Sequence, residues 1–129
     1  MVIDAHAHVF PDAIAEKASA SIAKFYNMPV RYDGRVDTLI DLGDRHGIDR
    51  FLINSVAASP QHAININNFI AGAVFEHPSR FIGFASLHPD MDDPQGELDR
   101  ALGLGLKGVK LHPDIQDRPM DSPGMYRLF

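Results

Sequence analysis

Cysteine is absent from this chain of 129 residues. Its absence excludes a disulfide framework, a thiol nucleophile and any zinc site with thiolate ligands. Long apolar runs are lacking too, since the longest, Phe69–Phe75, has seven residues and a membrane-spanning helix needs roughly 20. Basic residues are outnumbered, with 12 Lys and Arg against 17 Asp and Glu, which argues against broad nucleic-acid binding. We therefore expect neither a nucleic acid nor a membrane as a partner.

The chain begins without the basic segment and apolar core of a secretory leader, so we expect a cytoplasmic protein. Its composition is that of an ordinary globular domain, with 45% apolar and 22% charged residues. Histidine is abundant, with seven residues, and the positions of these histidines direct the functional interpretation.

Four short apolar or β-branched runs predict strands, and stretches of helical periodicity separate them. The predicted strands are Val2–Asp4, Arg50–Ser55, Arg80–Leu87 and Gly108–Leu111. Because strands and helices alternate along the chain, the sequence predicts an α/β fold with a parallel sheet.

The helices between these strands carry clear start and stop signals. The first has one apolar face formed by Ile14, Ala18, Ile22 and Phe25. The second is expected from about Asp37 to His46 and ends at Gly47. Ser59 and Pro60 begin the third, and Asp93 and Pro94 begin the fourth, each as a cap followed by a proline.

The end of the chain has the signals of a further helix, with Ser122 as N-cap and Pro123 in the first turn, but it stops at Phe129. A complete (βα)8 TIM barrel takes roughly 250 residues. We therefore predict the N-terminal half of such a barrel, about four βα units, in which residues 1–129 form a partial domain truncated before strand 5. The alternative is a complete flavodoxin-like domain.

Two histidines, His6 and His8, directly follow the first predicted strand. Residues two apart on a strand point the same way, and ligands of parallel α/β sheets bind at the carboxyl ends of strands. Both imidazoles can thus reach one divalent ion, for which zinc is the first choice and manganese or iron the alternatives. The competing interpretation is two solvated histidines. Asp4, on the same face and one pleat deeper, is expected either to accept a hydrogen bond that supports the metal ligands or to be buried by pairing.

The segment Val2–Pro11, with the sequence Val-Ile-Asp-Ala-His-Ala-His-Val-Phe-Pro, resembles the first-strand signature of the amidohydrolase superfamily. It is most similar to the amidohydrolase-related branch that includes aminocarboxymuconate-semialdehyde decarboxylase. Three later segments fit the same branch, namely Asp49–Asn54, Arg80–Pro89 and Gly105–Pro113. The resemblance implies a (βα)8 barrel with a divalent metal ion at its mouth, and it carries His6 and His8 over as the strand-1 metal ligands.

The resemblance covers the whole chain but only the N-terminal half of the family's domain. The family's remaining groups are a histidine after strand 5, sometimes one after strand 6, and an aspartate after strand 8 that also shuttles protons. These have no matching positions here, so the catalytic base is expected beyond residue 129. The implied activity is that of a metal-dependent hydrolase or decarboxylase of a small carboxylated, lactone or amide substrate. The alternative is a catalytically incomplete fragment that acts only as a metal-binding or assembly module.

Three other side chains are expected near the same mouth, because alternation along the later strands points them there. Lys110 could bridge two metal ions as a carboxylated lysine, contact a substrate carboxylate or form an interior ion pair. His112 and His88 are each candidates for contact with substrate or an additional metal ion, or are polar residues of the rim. Structural roles are expected for the helical histidines His46, His62 and His77.

The expected partners are a small-molecule substrate and a second copy of the chain. A half-barrel leaves its first and last strands as open edges, and unpaired edges invite pairing. The apolar residues of Tyr126–Phe129 add surface that favours an interface. We therefore expect a homo-oligomer or aggregation through the open barrel edges.

Overall fold

Every strand pairs in parallel in a computed structural model that describes residues 1–129. The strands are β1 (Ile3–His8), β2 (Arg50–Asn54), β3 (Phe81–Gly83), β4 (Ala85–Ser86) and β5 (Val109–Lys110). They form two sheets, one with the order β1-β2-β3 and one in which β4 lies beside β5. The predicted α/β class with parallel strands is confirmed.

The segment Arg80–Leu87, predicted as one strand, forms two because it changes its partner at Phe84. The backbone N–H of Phe84 still donates to the carbonyl of Ile53 in β2 at 3.0 Å. The backbone N–H of Ala85 instead donates to the carbonyl of Gly108, just before β5, at 2.8 Å. The two sheets are therefore joined through this segment, and the carboxyl ends of all strands lie toward one end of the molecule.

Six helices accompany the strands, and the four predicted between strands are confirmed. The helices are α1 (Ala15–Tyr26), α2 (Val36–His46), α3 (Pro60–Glu76), α4 (Pro94–Gly103), α5 (Pro113–Gln116) and α6 (Pro123–Tyr126). The side chain of Ser59 accepts the backbone N–H of His62 at the start of α3, and Asp93 caps α4 in the same way. Ser122 occupies the N-cap of α6 but makes no capping hydrogen bond. None of the helices is long and apolar enough to cross a bilayer.

The first strand continues beyond the predicted Val2–Asp4, and its pairing with β2 is irregular. Asp4 pairs with Phe51, and Ala7 pairs with Ile53. One extra residue of β1 is thus accommodated between these pairs, as in a β-bulge. Simple alternation along the strand predicts that Asp4 shares a face with His6 and His8. The extra residue interrupts that alternation between Asp4 and Ala7.

The main core lies between the sheet and helices α2, α3 and α4. Its largest fully buried side chains include Phe51, Ile53, Ile70, Phe81 and Leu106. Gly83 allows α3 to approach the sheet closely, since a Cβ there would lie 2.8 Å from Val74 and 2.9 Å from Ile70. This packing holds β3 and the strands beside it in fixed positions.

A buried polar network ties α3 and α4 to β4. The carboxamide of Asn67 accepts the backbone N–H of Ser86 at 2.7 Å and donates to the Ser86 carbonyl at 3.0 Å and to Glu97 at 2.6 Å. Arg100 donates to both carboxylate oxygens of Glu97, at 2.7 and 2.8 Å. The hydrogen bond from Arg100 holds the pKa of Glu97 below its usual value, although burial opposes the shift.

Candidate metal centre

The imidazoles of His6 and His8 meet at the carboxyl end of β1. Their Nε2 atoms lie 3.2 Å apart, and their ring centroids are 4.8 Å apart with the planes inclined by 67°. The two side chains therefore converge, as the His-x-His spacing predicts, even though the pairing before them is irregular. Their role as metal ligands stays a prediction.

The tautomer of His8 is set by the neighbouring strand. Its Nδ1 lies 3.1 Å from the backbone carbonyl oxygen of Asn54, the residue paired with His8 in β2. A carbonyl only accepts, so Nδ1 carries the proton and Nε2 of the neutral ring presents its lone pair toward His6. Metal-bound histidines are commonly oriented by such a hydrogen bond from the other ring nitrogen.

Both rings are biased toward the neutral form that binds metal ions. Burial lowers the pKa of His6, and the charge of Lys110 lowers it further, while Asp4 opposes the shift. Burial also lowers the pKa of His8, against the opposing effect of the Asn54 carbonyl, with smaller contributions from the positive groups around it. At neutral pH both rings are therefore mainly neutral, and the tautomer of His8 leaves its Nε2 without a proton.

The spacing of the two nitrogens fits one divalent ion. Two nitrogen ligands at about 2.0–2.1 Å from a tetrahedral ion stand about 3.3 Å apart, close to the 3.2 Å between the Nε2 atoms. No group of three or more His, Asp or Glu side chains in the chain is arranged to hold a metal ion. The chain thus offers two ligands of the four that tetrahedral zinc requires.

Asp4 and Lys110 lie near the pair in different ways. The carboxylate of Asp4 accepts the backbone N–H of His6 at 3.0 Å, so it supports the pair through the main chain at the irregular part of β1. Lys110, on β5, lowers the pKa of both histidines through its charge. It has no carboxylate within ion-pair distance, and the interior ion-pair interpretation therefore lacks a partner within this chain.

The imidazoles of His112 and His88 form hydrogen bonds with other groups of the chain. His112 caps α5, with its Nδ1 accepting the backbone N–H of Ile115 at 3.4 Å, and its Nε2 is hydrogen-bonded to the hydroxyl of Tyr26. His88 is buried, its Nδ1 accepts the backbone N–H of Asp90 at 3.2 Å, and burial lowers its pKa. Neither histidine is hydrogen-bonded to the His6–His8 pair, and their expected part in the site stays a prediction.

The sequence analysis did not identify two residues that contribute to this region. Asn54 contributes a backbone carbonyl, and its side-chain oxygen is buried without a partner. Its place at the carboxyl end of a strand is a signal that could have identified it. Tyr26 carries no comparable signal, because only folding brings the last turn of α1 to His112.

Two open clefts meet at His8. The first, here the α2 cleft, has a volume of about 340 Å³. Its lining includes Asp4, His6, His8, Arg35, Leu39 and His46. The second, here the α1 cleft, has a volume of about 380 Å³. Its lining includes His8, Phe10, Phe25, Tyr26, Val56 and His112. Pockets of this size hold small molecules. The α2 cleft contacts both histidines, whereas the α1 cleft contacts His8 but not His6.

Comparison with known proteins identifies the same family as the first-strand motif. A family model described as Amidohydrolase matches residues 3–129. A 2-amino-3-carboxymuconate-6-semialdehyde decarboxylase of Dictyostelium discoideum is 35% identical to the chain over 78 residues, which are 56% of this chain and 22% of that protein. The predicted relationship to this superfamily and to its decarboxylase-containing branch is confirmed.

Solved structures share the fold. The 5-carboxyvanillate decarboxylase of Sphingomonas paucimobilis matches 99% of this chain and 47% of its own, with a TM-score of 0.74 and 18% identity. The 5-carboxyvanillate decarboxylase of Novosphingobium aromaticivorans, solved with bound manganese and 3-methoxy-4-hydroxy-5-nitrobenzoic acid, matches 100% of this chain and 47% of its own, with a TM-score of 0.72 and 21% identity. The chain therefore spans less than half the length of these relatives.

Proposed function

Because the chain belongs to the amidohydrolase family, we propose that it forms the N-terminal half of the (βα)8 barrel of a metal-dependent hydrolase or decarboxylase. In this proposal residues 1–129 supply about four βα units and the first two ligands of a divalent ion. The observation that carries the proposal is the 3.2 Å separation of the His6 and His8 Nε2 atoms, together with the fixed tautomer of His8.

We propose zinc as the ion, with manganese or iron as alternatives, because imidazole nitrogen suits all three. Manganese is retained as an alternative because one decarboxylase of similar fold was solved with bound manganese. When bound, such an ion lowers the pKa of a water molecule and polarises a carbonyl or carboxylate. Asn54 keeps His8 in the binding tautomer, and Asp4 holds the main chain of His6.

The substrate proposed is a small carboxylated molecule, lactone or amide. Lys110 supports a carboxylated substrate, because its ammonium group has no carboxylate partner and acts electrostatically on both histidines. The relatives named as decarboxylases favour the same class. No residue of this chain has the position of the family's proton shuttle, so the catalytic base is proposed to lie beyond residue 129 of a longer protein.

Turnover by a metal-loaded longer protein that contains residues 1–129 and supplies the proposed catalytic base tests this function. The probes are 5-carboxyvanillate, followed by release of carbon dioxide, and 2-pyrone-4,6-dicarboxylate, followed by loss of its ultraviolet absorbance. We expect one probe to be consumed in the presence of Zn²⁺ or Mn²⁺, and we expect a chelator to stop the reaction. Turnover that persists at the same rate with the chelator and in a His6→Ala/His8→Ala variant would contradict the proposal.

A second candidate function is that of a catalytically incomplete fragment that only binds metal or assembles with another chain. The observation that favours it is the absence of a third ligand beside His6 and His8. Metal binding without turnover of either probe would support this candidate over the enzyme.

We also propose that the isolated chain self-associates through its open edges. β1 pairs only with β2, and β5 only with β4, while the apolar side chains of Val2 and Ile3 are exposed along the first edge. Light scattering after size exclusion should therefore show dimers or larger species at micromolar concentrations.

A lysine substitution at the strand edge distinguishes edge pairing from non-specific hydrophobic association. Ile3→Lys should shift the chain toward monomer, because an edge lysine opposes strand pairing. Phe75→Lys, at an even more exposed apolar residue on the outer surface of α3, should leave the association unchanged. A thermally stable monomer of the unmodified chain would contradict the half-barrel proposal and favour a complete flavodoxin-like domain.

A further inference from the structure

The hydroxyl of Tyr26 and the imidazole of His112 join two distant parts of the chain beside the metal candidate. The two residues are separated by 86 positions in the sequence, and Phe25 packs edge-on against the same imidazole at a centroid distance of 6.3 Å. The pair lies in the α1 cleft, whose lining also includes His8. A molecule bound there can thus contact His8 and Tyr26 together.

The hydrogen bonds of His112 determine which protons remain available. Its Nδ1 accepts the backbone N–H of Ile115, so in the neutral ring Nε2 carries the proton. That proton is donated to the oxygen of Tyr26, and the hydroxyl proton of Tyr26 then has no partner within the chain. Tyr26 is exposed on the cleft side of α1, which leaves its O–H able to donate to a bound molecule.

The rest of the cleft is mainly apolar, although Ser55 and the exposed His62 also line it. Phe10, Ile22 and Val56 form its walls, and the hydroxyl of Ser21 donates to the carbonyl of Lys17 at 2.9 Å. A flat apolar body fits between such walls. The cleft therefore combines His8 and a phenolic donor with a mainly apolar surface.

We propose that Tyr26 is a specificity-determining residue that donates a hydrogen bond to a carboxylate or other anionic oxygen of the substrate, away from the group held at His6 and His8. His112 is a positioning residue, because it holds the oxygen of Tyr26 and thereby directs the hydroxyl proton into the cleft. This inference rests on the proposed function and adds a second recognition point for a planar substrate with two anionic groups.

Binding of isophthalate and benzoate to the Mn²⁺-loaded chain tests the inference by calorimetry. Isophthalate carries a second carboxylate for Tyr26, whereas benzoate has only the one for the histidine pair. Tyr26→Phe should weaken isophthalate binding about tenfold, as expected for loss of a hydrogen bond to a charged group, and should change benzoate binding less than about twofold. The matched control Tyr126→Phe, at an exposed tyrosine outside the cleft, should leave both affinities unchanged.

The role of His112 is tested with His112→Asn, since asparagine still caps a helix but is too short to reach Tyr26. This variant should weaken isophthalate binding to a similar degree, and adding it to Tyr26→Phe should cause no further loss, because the two residues act as a unit. A purely structural role of His112 would instead give losses that add and that extend to benzoate.

The outcomes separate this inference from the function on which it rests. A wild-type chain that does not bind Mn²⁺ overturns the proposed function. A chain that binds Mn²⁺ but gives isophthalate the same affinity with and without the Tyr26 hydroxyl, or gives isophthalate no affinity at all, overturns only the inference about Tyr26.

Discussion

Replacing His6 and His8 together by alanine should abolish the binding of Zn²⁺ to this chain. Structural zinc sites with four ligands contribute about 10–16 kcal/mol. Two imidazoles should supply roughly half of that, which corresponds to a Kd of roughly 1–200 µM. Without either Nε2 lone pair, the Kd should rise beyond about 10 mM. Isothermal calorimetry at pH 7.5, where both rings are neutral, measures the difference.

His77→Ala is the matched control for this titration. His77 lies before β3, at the amino end of the strands, so its loss should leave the affinity for Zn²⁺ unchanged. Equal binding by the wild type and the double variant would refute the metal-ligand assignment. Much tighter binding by the wild type alone would instead mean that Lys110, His112 or His88 completes the site.

Asn67→Ala should destabilise the fold by about 3–4 kcal/mol. The substitution removes the side-chain partner of both backbone groups of Ser86 and one of the two donors to Oε1 of Glu97, and each buried unsatisfied group costs about 1–3 kcal/mol. Domains of this size are typically stable by only about 5–15 kcal/mol. Urea unfolding followed by circular dichroism, at one fixed protein concentration, should therefore show a large fall in the midpoint.

Asn65→Ala is the control for this effect, because it makes the same change on the same helix at an exposed position. Exposed substitutions of this kind usually change the free energy of unfolding by less than about 0.5 kcal/mol. Equal midpoints for the two variants would show that the Asn67 network contributes little to stability.

The helix boundaries and the histidine pair were accessible from the sequence because the interactions that define them are local. Ser59 and Asp93 cap helices through backbone groups three residues away, and a proline follows each of them. The convergence of His6 and His8 follows from the two-residue period of a strand. Family membership was equally accessible, since the first-strand motif is contiguous.

Contacts between distant segments were decided only by the tertiary structure. Phe84 donates its backbone N–H to Ile53 of β2, whereas Ala85 donates to Gly108 before β5, and no local pattern records this change of partner. The carbonyl of Asn54 sets the tautomer of His8 across 46 residues, and α1 brings Tyr26 to His112 across 86. Sequence periodicity specifies the face of an element on which a side chain lies. Packing between elements determines which atoms come into contact, and the chemistry of this site depends on those contacts.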